Sequence, residues 1–157
     1  MATPKVSTSI ACRIVGLNRD RFNEYIAAGH YGCAPSTVPG RTRLFGPDDL
    51  LTLMLFKRLM DDGYTVEAAG KIACAIGTVA QCYPEARAVS YVETYIGSGT
   101  AMLTKDVPPA EDWDTVTISG CDIRKVTTFR IGKERDLVAH YTDEETNTFR
   151  DPADIEE

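Results

Sequence analysis

What the chain lacks narrows the field before any motif is read. It has no apolar run of membrane-spanning length, and its first residues lack the charged-then-apolar pattern of a secretory leader. A cytoplasmic, nucleoid-associated protein with no membrane partner is therefore expected. There is no Walker loop, no Gly-x-Gly-x-x-Gly opening a helix and no His-Glu-x-x-His. Histidine is limited to His30 and His140. His140 has no evident triad partner, and His30 beside Cys33 is one metal-ligand pair without a second, so the expectation is no enzyme, no metal and no cofactor. The five cysteines, Cys12, Cys33, Cys74, Cys82 and Cys121, are odd in number and scattered. They read as small buried thiols in a reducing compartment rather than a disulfide frame. Cys74 and Cys82, about two helical turns apart, read as core thiols rather than a metal-sensing pair. No heptad run follows Pro84, and no repeat or low-complexity tract is present.

Charge is scarce in net terms but unevenly placed. The formal net charge is −6, which taken alone disfavours a nucleic-acid partner. Residues 1–45, however, hold six Lys/Arg against two Asp/Glu, while residues 81–157 hold eight against sixteen. A basic front and an acidic back suit a protein that meets a polyanion with one end only.

The stretch from Ala11 to Asp49 organises the chain. Met1 to Val6 reads as a short arm. Ser7 or Thr8 caps a first helix whose stripe is Ile10, Ala11, Ile14 and Val15 and whose end is Gly16. Asn18 caps a second helix, which stops near Gly29 and turns Phe22, Tyr25 and Ile26 inward. At about 100° per residue, Asp20, Glu24 and Ala27 face away from that stripe, with Arg21 and Asn23 on its shoulders and Arg19 nearer the core edge. Gly32, Pro35, Pro39 and Gly40 punctuate the next segment. Thr37–Val38 and Thr42–Phe45 are candidate strands of a hairpin, with Arg41 and Arg43 on one face and Leu44 inward. Gly46-Pro47-Asp48-Asp49 starts a third helix that is apolar almost all round from Leu50 to Met60, with Lys57 and Arg58 either aimed at a phosphate backbone or snorkelling. Thr65 caps a fourth helix, which stops at Pro84.

The composition then shifts. Ala88–Ile96 reads as a strand, with a helix as the alternative. Gly97-Ser98-Gly99 is a turn, Thr100–Thr104 pairs back, Thr115–Ile118 and Ile123–Ile131 are further strands, and Lys133–Glu145 is a helix with Leu137, Val138 and Tyr141 inward. The fold class expected is α+β: a winged helix-turn-helix of four helices plus a two-stranded wing over residues 1–83, a small α+β domain over 84–145, and an acidic flexible tail over 146–157.

Residues 11–73 resemble the DNA-binding domain of the mercury-resistance-regulator (MerR) family. The match runs through Ala11-x4-Gly16-Leu17, the aromatic Phe22 and Tyr25, Gly29 followed by Tyr31, Arg43-Leu44-Phe45 with Asp49-Leu50, and Gly63-Tyr64-Thr65-Val66-Glu67 before a helix. The resemblance implies a bacterial or phage transcription regulator that binds a palindromic site as a homodimer, with Arg43 where the family's wing arginine meets the phosphate backbone. Where the family commonly has a basic residue then Thr-Leu-Arg-Tyr-Tyr, this chain has Asp20-Arg21-Phe22-Asn23-Glu24-Tyr25.

The reading therefore favours a regulator of double-stranded DNA that contacts it through Asn18, Arg19, Arg21, Asn23, Arg41, Arg43, Lys57 and Arg58. Arginine suits guanine O6/N7, asparagine suits adenine N6/N7, and phosphate contacts supply affinity. The acidic back end would dimerise, sense a ligand, or contact RNA polymerase or another protein. The rival is a protein-interaction module, such as an anti-regulator or excision factor of a mobile element, in which the Asp20/Glu24 face excludes DNA.

Overall fold

Helices begin where the sequence supplies a cap. In the computed structural model, which describes residues 5–37 and 39–148 (148 by its backbone alone), α1 (Thr8–Val15) starts at Ser7, whose hydroxyl accepts from the Ile10 N–H at 3.3 Å. It ends at Gly16, where φ is +82° and a β-carbon would be strained. α2 (Arg19–Ala27) starts at Asn18, whose Oδ1 accepts from the Arg21 N–H at 2.9 Å. α3 (Pro47–Asp61) has proline at its first position, and the Asp49 carboxylate accepts from the Gly46 N–H at 2.9 Å. α4 (Val66–Cys82) is capped by the Thr65 hydroxyl at 3.2 Å.

α3 is the axis of the molecule. Leu50 through Phe56 and Leu59 are all buried, because α4 covers one side of the helix and the C-terminal helix another. An aromatic cluster fixes α2 against it: Phe22 lies edge-on to Tyr31 at 5.2 Å, Tyr31 packs on Phe56 at 4.8 Å, and Tyr25 meets Phe56 at 5.9 Å.

The segment expected to form a hairpin wing folds otherwise. β1 (Val6–Ser7) pairs antiparallel with β2 (Leu44–Phe45), Val6 opposite Phe45. The strand partner thus comes from the expected arm, not from Thr37–Val38; Thr37 is in no strand and Val38 lies outside the described residues. Phe45 is fully buried and Leu44 is 39% exposed, the reverse of the expected alternation, because Phe45 completes the cluster around Phe22.

After α4 the chain forms an antiparallel sheet in the order β4-β3-β6-β5, built from β3 (Val89–Thr94), β4 (Thr100–Leu103), β5 (Thr117–Ile118) and β6 (Cys121–Phe129). β3 and β4 lean on α4. Ser90 is wholly buried in the central strand, and its hydroxyl is satisfied by the Thr104 and Thr128 hydroxyls, each at 2.9 Å. α5 (Ile131–Thr148) then returns across α3 and α1. It is longer than expected, and it buries Ile131, Val138 and Thr142 while Tyr141 faces solvent.

The hydrophobic core is continuous from Val6 to Val138 and crosses the boundary expected at residue 83. Of the expected tail, residues 146–148 continue α5 and residues 149–157 lie outside the described residues. Among the described residues no helix is long and apolar enough to span a membrane.

The cysteines are not all thiols. Cys33 and Cys74 form a disulfide with Cα atoms 5.7 Å apart, while Cys12 is buried, Cys121 half-buried and Cys82 exposed as free cysteines. This corrects the expectation of scattered thiols. The link depends on α4 packing beside the segment that leaves α2, which neither sequence neighbourhood reveals.

Candidate nucleic-acid interface

The outward face of α2 is set by what its inner face must do. Phe22 is buried and Tyr25 and Ile26 are half-buried, so Asp20, Arg21, Asn23, Glu24 and Ala27 are left exposed. Arg21 and Asn23 sit in the first turns of the helix, and their side chains have no hydrogen-bond or ionic partner among the described residues. An arginine fork and a carboxamide in that position carry the two donor patterns best matched to purine edges. Asp20 and Glu24 lie between them on the helix surface and bring two negative charges to the same face.

The other candidate residues are more tightly engaged. Asn18 spends its side-chain oxygen on the cap. Arg19 donates from Nη1 to Ser9 Oγ at 3.0 Å and lies 3.9 Å from Asp20, which ties it to α1. Arg41 is exposed and has no partner among the described residues. Arg43 turns back and donates from Nη1 to the Pro35 carbonyl, closing the base of the loop. The two arginines therefore do not share one free face. Lys57 is held by Asp61 at 2.5 Å, with its Cε over Gly16 at the α1–α2 turn. Arg58 donates from Nε to both carboxylate oxygens of Glu134 on α5, at 2.9 and 3.1 Å. That hydrogen bond raises the Arg58 pKa above its ordinary value against the opposing effect of burial.

One cation near this face escaped the sequence reading. Lys5 is exposed and immediately precedes β1, so strand pairing sets it beside Gly46 at the foot of the loop, with its Cγ and Cε 3.9 Å from where a Gly46 Cβ would stand. The only sequence signal was its place just before an apolar-polar pair; the partner strand lies about forty residues away and is joined by tertiary pairing.

Beneath the face, ionisation is suppressed. Burial pushes the Cys12 thiol up to about 11, opposed in part by the nearby Arg19. Burial, then the Asp49 carboxylate and Cys12, drive the Tyr31 phenol above its ordinary range. The buried Cys12 thiol and Tyr31 phenol beneath α2 therefore stay un-ionised at neutral pH.

Comparison with known proteins bears on this face directly. Residues 7–75 match the family model described as MerR HTH family regulatory protein. That span covers α1 through the first half of α4, and it holds both α2 and the arginine loop. No curated protein matches the chain.

Proposed function

We propose that this MerR-like helix-turn-helix domain makes the chain a sequence-specific, double-stranded DNA-binding transcription regulator, acting as a homodimer on a palindromic site in the bacterial or phage-infected cytoplasm. The observation that carries the reading is the pair of unpartnered side chains, Arg21 and Asn23, on the open face of α2, next in the chain to a loop that carries the exposed Arg41. In this reading α2 enters the major groove, with Arg21 and Asn23 reading bases. Arg41 and Lys5 meet phosphates, and Arg43 shapes the loop that presents Arg41. Arg19, Lys57 and Arg58 act through the structure that holds α2 in place. The sheet and α5 provide the dimer contact or the surface for RNA polymerase or another protein, and no reaction is assigned to the chain.

Genome-wide capture with the purified protein, followed by fluorescence anisotropy on the captured duplex, tests this. Arg21→Ala is expected to weaken binding by about 1–3 kcal/mol and to relax preference at one base position. Arg41→Ala is expected to weaken all duplexes alike and to lower the salt slope by about one. Wild-type affinity in both variants, or no captured sequence at all, overturns the reading.

A second reading is favoured by one observation: Asp20 and Glu24 are both exposed on the same helix face. A protein-interaction module, such as an anti-regulator or excision factor, would use them toward a basic partner and bind no duplex.

A further inference from the structure

The Cys33–Cys74 bridge stands where the loop bearing Arg41 and Arg43 is fastened to the helices. Cys33 follows Tyr31 in the segment leaving α2, and Cys74 lies midway along α4. The bridge spans a sequence separation of 41, which includes the loop, β2 and α3. Two other anchors hold the same segment. Tyr31 is buried in the aromatic cluster, and the His30 backbone lies so close to α4 that a Cβ on Gly70 would collide with the His30 carbonyl. Both anchors precede Cys33.

Beyond them, Cys33 is covalently fixed and Ala34 packs at the core edge. The next link is the Pro35 carbonyl, which accepts from Arg43. One limb of the loop is therefore held by the bridge, and the other limb is held to the first through Arg43.

We propose that Cys33 and Cys74 form a reversible dithiol–disulfide switch that sets the posture of the 34–43 loop and, resting on the DNA reading above, the affinity for duplex. Reduction frees the outgoing limb at Cys33, lets the Pro35 carbonyl wander from Arg43, and leaves Arg41 on a looser loop. Ordering that loop on DNA then costs conformational entropy that the oxidised form does not have to supply again.

The chemistry is ordinary thiol–disulfide exchange with a dithiol reductant. An external thiolate attacks one sulfur of the bridge, and the other sulfur leaves as a thiolate and takes a proton. The second external thiol then attacks the mixed disulfide. The reductant ends as a disulfide, and its two electrons reside on Cys33 and Cys74 as two thiols. Access is open: a cleft of about 460 Å³ is lined by both cysteines with His30, Glu67 and Lys71. Lys71 lies one turn before Cys74 on the rim of this cleft, and its Nζ donates to Ser98 Oγ at 3.1 Å. A DNA-bound regulator works where thiols are kept reduced, and disulfides in such compartments are typically transient or redox-sensing. Cys12 does not compete, since its buried thiol stays protonated.

The test uses the full chain carrying C82S and C121S, so that the bridge and the buried Cys12 are the cysteines that remain. The protein is equilibrated in glutathione buffers of graded ratio, thiols are trapped by alkylation, and hydrogen exchange is followed in the oxidised and reduced forms. Duplex affinity is measured by anisotropy on a captured or mixed-sequence duplex. A reversible two-electron transition is expected. Reduction should speed exchange in the 34–45 segment by about tenfold while α5 is unchanged. It should weaken duplex binding by about fivefold or more. C74S should behave like the reduced form in every buffer, and reduced wild-type supplies the same comparison if that variant does not fold.

Equal exchange of the 34–45 segment in the two forms overturns the switch, whatever the duplex result. Faster exchange across α3 and α4 together also overturns it, because the bridge would then be structural. Altered loop exchange with equal duplex affinity overturns its control of binding. Absence of duplex binding in both forms overturns the DNA reading, while the exchange data still decide the clamp.

Discussion

α2 and α5 are both charge-rich helices at the surface, and they spend their charge in opposite ways. On α5, Glu134 is bound by Arg58, Asp136 lies 3.2 Å from Arg87, Glu145 lies 3.4 Å from Arg13, and Arg135 donates to the backbone that ends α4. On α2, Arg21, Asn23 and Glu24 have no side-chain partner among the described residues. The charges of α5 attach the C-terminal half to the helices, whereas Arg21 and Glu24 of α2 are left to solvent. A second lesson follows from which residues α5 engages. Arg13 belongs to the basic front of the sequence and Arg58 lies just beyond it, yet acidic residues of the back end pair with both. Among the described residues of the first 45, the exposed cations without a side-chain partner are therefore Lys5, Arg21 and Arg41, fewer than the sequence asymmetry implies.

The largest expected effect lies on the α5 side. Arg135 donates to Ala86 O at 2.5 Å and to Ala80 O at 2.7 Å, with Tyr83 O at 3.3 Å, so one guanidinium satisfies the carbonyls at the end of α4. Arg135→Ala removes these charged hydrogen bonds, although Ala80 O and Tyr83 O keep backbone donors at Tyr83 N and Ala86 N. A loss of about 2–3 kcal/mol is expected in denaturant unfolding, with an unchanged slope. A loss under about 0.5 kcal/mol would mean that α5 is held by its apolar face alone and would break the contrast drawn above.

A smaller effect is expected where α2 does contribute to its own fold. Asn18→Ala removes the acceptor for the Arg21 N–H and should cost about 1 kcal/mol. Asn18→Asp retains an acceptor in the same place and should restore most of it. If the alanine variant unfolds with the wild-type midpoint, water caps the helix as well as Asn18 does, and α2 is even less tied to the rest than described.

How much of this was legible in the residues depends on how far apart the deciding partners lie. Ser7, Asn18 and Thr65 mark their helices because each cap acts over three residues. The hairpin of β3 and β4 was visible in the same local way, through Gly97-Ser98-Gly99. The β1–β2 pairing was not, because it joins Val6 to Phe45 and because Phe45 is drawn in by Phe22 rather than by strand alternation. Arg58 was left between two readings for the same reason: its partner Glu134 lies 76 residues away. The bridge between Cys33 and Cys74 joins two cysteines that, by sequence, each had a nearer candidate neighbour, His30 for one and Cys82 for the other. Tertiary packing chose between them.

The smallest stability change should come from the two acids that separate Arg21 and Asn23. Asp20 lies in the first turn of α2, where a carboxylate favours the helix dipole, and Glu24 lies mid-helix; both are exposed. Asp20→Asn with Glu24→Gln should therefore move the unfolding free energy by no more than about 0.5 kcal/mol. Its effect on binding is what sharpens the comparison of the two helices. If α2 faces phosphates, removing two negative charges strengthens duplex binding, most at low salt where the repulsion is least screened. If α2 faces a basic protein, the same double variant gains no duplex affinity and loses that partner in a pull-down with the wild-type chain as reference. Anisotropy at two salt concentrations separates these results, because the gain from lost repulsion must shrink as salt rises. A gain that stays constant with salt would instead implicate a shape change in α2, and the fold's indifference to the substitution, read from the same sample by circular dichroism, would then fail as well.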